Sequence, residues 1–212
     1  MKRLRTGAMI ASGTAFAVLA WFAYRTQYLP QDIAISQGMQ RFNGVLPGFM
    51  SEVSAVSSLI PAIIIVAVTA ACLGKSGRRL EALFTGVAPV IMALAIVPAI
   101  KDSIGRPRPT PDLVLVMAQE SGNSFPSGHA AFVMVFYGFI IYLLPHLMKN
   151  RTAVKVIRGL LITFIGLTGA SRVYLGLHWT SDVLGGLLLG GLALGIMISI
   201  YCYYLPKFYT RS

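Results

Sequence analysis

Long apolar runs alternate with short polar stretches along almost the whole chain. The runs fall at about residues 7–24, 59–73, 80–100, 130–147, 156–170 and 183–205. A helix needs roughly 20 apolar residues to cross a bilayer core, so the pattern predicts six membrane-spanning helices. The runs at 59–73 and 156–170 are short and must recruit flanking residues. Pro61, Pro89 and Pro98 lie inside runs, which membrane helices tolerate when neighbours re-satisfy the backbone. Gly185, Gly186, Gly190, Gly191 and Gly195 give the last run small faces suited to close helix packing.

Residues 25–57 depart from this rhythm: polar and apolar positions mix there, broken by Pro30, Gly44, Pro47 and Gly48. Short amphipathic helices on the membrane surface fit that composition, and so does an ordered loop. The first run follows a basic start, Met1 to Arg5, as a signal peptide would. It is long, however, and no small-x-small cleavage site follows, so it reads as an uncleaved first helix. The expected fold is all-α: one polytopic membrane bundle over residues 1–212, with six transmembrane helices and short amphipathic helices after the first.

Composition agrees. The chain is 56% hydrophobic and 12% charged, with a mean hydropathy of +0.71; a soluble domain carries about twice that charge. The net charge of +11 does not signal nucleic acid, because no basic stripe interleaved with aromatics is present. Segments 1–6, 75–79, 149–158 and 206–212 hold 12 Lys and Arg, whereas the opposite side of a six-span bundle holds 6. By the positive-inside rule both termini are cytoplasmic. Cys72 and Cys202 both lie in apolar runs, which argues against a disulfide scaffold and a zinc site.

Three polar islands then share the outer side. The first runs from Lys101 to Pro109, the second is Pro126-Ser127-Gly128-His129, and the third is Ser171-Arg172 with His178 and Asp182. Ionisable residues at the edge of membrane segments mark functional sites. Lys101, Arg108 and Arg172 suit a phosphoryl group, since guanidinium offers a rigid fork and Lys a point charge. Pro126-Ser127-Gly128 reads as a helix start, where free N–H groups bind anions and glycine allows close approach. His178 and Asp182 are four apart, which brings both side chains onto one helical face. A carboxylate on one ring nitrogen leaves the other basic, as a nucleophilic His requires, and His129 is then free to act as general acid. Asp182 is the one carboxylate assigned to the site. Outside it, His146 reads as a packing residue, Arg25 and Arg41 as snorkelling anchors, and Arg106 as a solvated neighbour of the phosphate contacts in preference to a second such contact.

These residues resemble the type 2 phosphatidic acid phosphatase family, whose superfamily includes bacterial acid phosphatases and vanadium haloperoxidases. The pattern is Lys, six residues, Arg-Pro; then Pro-Ser-Gly-His; then Ser-Arg, five residues, His, three residues, Asp. Here it falls on Lys101 with Arg108-Pro109, Pro126 to His129, and Ser171-Arg172 with His178 and Asp182, and only Arg108 of the two Arg-Pro registers gives the spacing. The resemblance implies a six-span bundle and metal-free hydrolysis without a cofactor. It implies a phosphohistidine on His178, oriented by Asp182, with His129 as acid. Lys101, Arg108, Ser127, Gly128, His129 and Arg172 would contact the phosphate.

The substrate class implied is a lipid phosphate: phosphatidic acid, phosphatidylglycerol phosphate, a polyprenyl diphosphate or a lipid A type molecule. The expected location is the inner (plasma) membrane of a bacterial cell, with the site on the extracytoplasmic side. Lipids are the expected partners, with no nucleic acid and no obligate protein. A phosphotransferase passing the group to an acceptor lipid uses the same residues, and an anion transporter is a third reading. Specificity is expected from a groove whose width is set by the first two spans and residues 25–57.

Overall fold

The computed structural model describes residues 2–42 and 46–209. Met1, the expected break at Gly44 and the terminal Arg211 lie outside them. The described chain is helical: α1 (Lys2–Arg25), α2 (Pro30–Gln40), α3 (Leu46–Val56), α4 (Leu59–Lys75), α5 (Arg79–Ile91), a π-helical turn (Met92–Ile96), α6 (Val97–Ile104), α7 (Gly128–Leu147), α8 (Arg151–Tyr174) and α9 (Thr180–Tyr209). The π turn sits between Pro89 and Pro98. Each proline withholds an N–H from the helical ladder, and a shift of register absorbs the loss.

Among the described residues five helical stretches are long and apolar enough to span: Arg3–Arg25, Arg79–Ile104, Gly128–Leu147, Arg151–Tyr174 and Thr180–Leu205. The sixth predicted span needs both α3 and α4, which meet at a 52° bend. Residues 25–57 therefore contain two short helices. The first, α2, carries its polarity inward: Asp32, Ser36 and Gln40 are buried while Ile35 is exposed. These polar residues recur every fourth position, so one face of α2 is polar and turned to the protein.

The middle of the bundle is α7, whose Ala131, Val135, Phe139 and Leu143 join Met92, Leu189, Met197 and Tyr201 in the main core. Glycine lets α9 lie against α7 and α1. A Cβ on Gly190 would stand 2.8 Å from the Ala131 carbonyl oxygen, and one on Gly191 would stand 3.3 Å from Ser12. Outward positions such as Ile60, Ile63, Ile64, Val68 and Leu160 stay exposed, as walls facing acyl chains must.

Two backbone positions deliver the polar islands to one end. Gly105 (φ 66°) ends α6 in the left-handed region and releases the chain into Arg106-Pro107-Arg108-Pro109. Gly176 (φ 70°) turns the chain between α8 and α9, and a Cβ there would run into the Leu115 carbonyl. Only glycine meets both demands. The long 105–127 segment lies over this turn, where Met117 N–H donates to the Leu175 carbonyl at 3.0 Å.

Candidate active site

Asp182 is the third residue of α9 and caps it. Its Oδ2 accepts the Trp179 N–H at 2.8 Å, the reach-back of a capping box. Because His178 stands just before that cap, the pair meets through helix initiation and not along a helical face as the four-residue spacing suggested. His178 Nδ1 lies 3.6 Å from Asp182 Oδ2, beyond hydrogen-bond length. Ser124 fills the gap: its hydroxyl donates to Asp182 Oδ2 and stands 3.3 Å from His178 Nδ1. Ser124, His178 and Asp182 are all buried. Burial holds the His178 imidazole at about 4, below its ordinary 6.5, against the upward pull of Asp182. At neutral pH the ring is uncharged, with Nε2 toward Arg108 at 3.3 Å.

Arg106 is a correction. It is not a solvated neighbour: its side chain is closed from solvent and joins two buried carboxylates, Asp182 at 2.5 Å and Asp32 at 3.0 Å. It also donates to the Ser181 hydroxyl at 2.7 Å and the Gln27 carbonyl at 3.0 Å. Asp32, on α2, accepts the Ser181 N–H at 2.8 Å and its hydroxyl at 2.7 Å. A buried guanidinium is tolerated only when its donors are met, and here the start of α9 and α2 meet them.

A cavity of about 570 Å³ is lined by Lys101, Asp102, Glu120, Gly128, His129 and His178, among others, and Arg108 and Arg172 reach its wall through Glu120. Lys101 donates to the Asn123 carbonyl at 2.6 Å, and Asn123 returns a bond to the Lys101 carbonyl at 3.0 Å. Arg108 is anchored on the Gly122 carbonyl at 3.0 Å and the Leu177 carbonyl at 2.7 Å. Arg172, in the last turn of α8, donates to Ser54 of α3. Between the two arginines lies a carboxylate absent from the sequence reading. Glu120 pairs with Arg172 and with Arg108, the latter at 3.1 Å, and lies 3.8 Å from His178 Nε2. Burial pushes its pKa up, but the attraction of Arg172, His178 and His129 together outweighs burial and holds the carboxyl down at about 2. Asp102 is a further carboxylate on the wall, so Asp182 is not alone.

The sequence-predicted residues thus come together with one difference in placement. Ser127 is buried, its hydroxyl has no partner among the described residues, and its N–H donates to the Asp182 carbonyl at 2.9 Å. The cavity is lined by Gly128 and His129 at the start of α7 instead. Among the described residues no group of three His, Cys, Asp or Glu is placed to hold a metal ion.

A second, apolar groove of about 520 Å³ opens on the same two residues. Its walls are Ala62, Val66 and Ala70 of α4, Pro89 and Val90 of α5, Leu94 of the π turn and Phe132 of α7. Ala93, Gly128 and His129 belong to both spaces. The expectation that the first two spans and residues 25–57 shape the groove is corrected in part: α4, the second span, forms one wall, but among the described residues α1 lines none of it and only Ser57 comes from 25–57.

A site of clustered cations beside two histidines at one end of a helical bundle defines a class, and the comparisons name it. The family model described as PAP2 superfamily matches residues 83–206. The chain belongs to that superfamily and is a multi-pass membrane protein. It is similar to phosphatidylglycerophosphatase B of Bacillus subtilis (strain 168), 40% identical over 95 residues that make up 43% of this chain and 44% of that protein. It is also similar to lipid phosphate phosphatase 2 of Arabidopsis thaliana, 29% identical over 140 residues, 54% of this chain and 47% of the relative. The chain thus spans about half the length of the curated relatives it matches. Among solved structures, the transmembrane PAP2 type phosphatidylglycerolphosphate phosphatase of Bacillus subtilis superposes with a TM-score of 0.76 at 26% identity, over 91% of this chain and 94% of that one. Aquifex aeolicus LpxE gives a TM-score of 0.64 at 17% identity over 81% and 96%, a likeness of fold alone.

Proposed function

We propose that the protein hydrolyses the phosphate monoester or diphosphate of a membrane lipid through a phosphohistidine on His178, without a metal. One observation carries the reading. Glu120 holds an oxyanion between Arg108 and Arg172 at 3.8 Å from His178 Nε2, where a phosphoryl group would lie for attack. The apolar groove adjoining Gly128 and His129 supports a lipid as the bearer of that group. The similarity to a phosphatidylglycerophosphatase and a lipid phosphate phosphatase supports the same class.

Neutral His178 attacks phosphorus through Nε2 while its Nδ1 faces Ser124 and Asp182. The bond from phosphorus to the lipid oxygen breaks, and His129 supplies the proton the departing oxygen takes up. Water then attacks the phosphohistidine, the P–N bond breaks, and His129 accepts a proton from that water. Lys101, Arg108, Arg172 and the start of α7 at Gly128 stabilise charge on the equatorial oxygens, the part that metal ions take in two-metal phosphatases. By the distribution of basic residues, this chemistry takes place at the outer surface of the plasma membrane and both termini are cytoplasmic.

The test is phosphate release by purified protein from a panel of lipid phosphates, in the presence of a chelator. Release that needs added Mg²⁺ or Zn²⁺ refutes the metal-free mechanism, and no release from any lipid phosphate refutes the activity. Sidedness is read separately, with single cysteines near Thr110 and Thr152 in a chain lacking Cys72 and Cys202. A membrane-impermeant thiol reagent should label only the first in intact cells.

A further inference from the structure

The end of the bundle away from His178 carries a second concave site. A cavity of about 660 Å³ is lined by Arg78, His146, Lys149, Arg151, Lys155 and Arg158. They come from three stretches: the turn before α5, the end of α7 with the link that follows it, and the N-terminal part of α8. We propose that this cavity binds the phosphate of an anionic lipid headgroup in the leaflet facing it.

A rule of topology asks only that cations be numerous on one side; it does not ask them to converge. Here no lining residue is acidic. The neighbouring carboxylate, Glu81, lies outside the lining, 3.6 Å from Arg78, and accepts the Tyr201 hydroxyl at 3.1 Å. Arg78 is also fixed by donating to the His146 carbonyl at 3.0 Å, so the rim is held before any ligand arrives. Arg158 adds an independent sign: its Nε is shut off from solvent with no partner among the described residues. A donor in that state calls for an acceptor.

Depth selects the lipid. The cavity lies where α7 ends and α5 and α8 begin, the level of headgroups, and basic pockets between membrane helices bind such groups. Pro145, Leu147 and Met148 form an apolar side of the same space, which a free ion would leave unused.

The test uses the full chain in mild detergent, with phosphatidylglycerol, phosphatidylcholine or inorganic phosphate added. Binding is read from the unfolding midpoint and from lipids retained in native mass spectrometry. Phosphatidylglycerol should raise the midpoint and stay bound, whereas R151Q/K155Q/R158Q should lose both effects. That variant should hydrolyse a soluble aryl phosphate at the wild-type rate, since these residues lie far from the site of chemistry. Each single neutralisation should weaken phosphatidylglycerol binding about five-fold. If the triple variant does not fold, Lys155→Gln alone decides: a loss near that size supports the site and unchanged affinity overturns it. An equal effect from phosphatidylcholine, or undiminished binding by the triple variant, overturns the proposal. Reproduction of the shift by inorganic phosphate alone overturns the lipid assignment.

Discussion

Both ends of this bundle are rich in cations, and they treat them in opposite ways. At the His178 end, Arg106 and Arg172 are buried, and each guanidinium is tied to acceptors drawn from distant helices. At the other end, Lys149, Arg151 and Lys155 are exposed. The exposed cations have no carboxylate beside them in their cavity. Burial with designated partners costs desolvation and is repaid only by exact geometry, so it marks charges held for chemistry. Exposure leaves charges that orient the chain and meet lipid.

The sharpest way to break this contrast is at the proposed nucleophile. His178→Ala should lower phosphate release by about 10⁴-fold or more, as loss of a covalent nucleophile does. A phosphoenzyme trapped in that variant would remove His178 from its role. Stability should separate the ends next. Arg106→Met leaves Asp32 and Asp182 as uncompensated buried carboxylates and should cost about 3–5 kcal/mol, seen as a large fall in the unfolding midpoint in detergent. Arg151→Gln, measured alike without anionic lipid, should stay within about 0.5 kcal/mol; equal losses would erase the distinction.

The next effect is on affinity. Glu120 occupies the proposed phosphate position, so Glu120→Gln should tighten inhibition by inorganic phosphate about ten-fold, the scale of one charged hydrogen bond. Unchanged inhibition would show that Glu120 does not compete with the ligand.

A further effect is in pH. His178 protonates at about 4 in the folded protein against an ordinary 6.5. The unfolded chain therefore binds more protons between those values, and stability falls as pH drops through that window. His178→Gln should flatten that part of the curve of unfolding midpoint against pH. A wild-type curve already flat between pH 6.5 and 4 would contradict the buried neutral imidazole.

The spans were legible because a bilayer imposes one strong requirement, and five apolar stretches meet it directly. The sixth was half legible: α4 was foreseen, but the 52° bend from α3 depends on packing, not on hydropathy. The islands were legible because charge is rare in such a chain. Arg106 was misjudged because Arg106-Pro107 repeats the Arg108-Pro109 dipeptide beside it, and its carboxylate partners lie 74 and 76 residues away. One signal was available: Asp32, Ser36 and Gln40 repeat every fourth residue, a polar stripe that needs something polar to face. Glu120 gave no signal, since a carboxylate in an irregular segment has no period. Ser124 gave none either; only the cap at Asp182 decides which hydroxyl stands beside the imidazole.

The buried trio of Asp32, Arg106 and Asp182 also bears on biogenesis. A chain is made from its N-terminus, so Asp32 and Arg106 are inserted long before Asp182 exists. Until α9 arrives, Arg106 and Asp32 form a neutral pair that still lacks its partners at Ser181 and Asp182, and buried polar groups left without partners are unfavourable. Partly made or truncated chains are therefore the ones left open to proteolytic triage. Arrival of α9 closes the trio and brings His178 into place beside it, so docking of that helix and assembly of the proposed reactive centre are a single event.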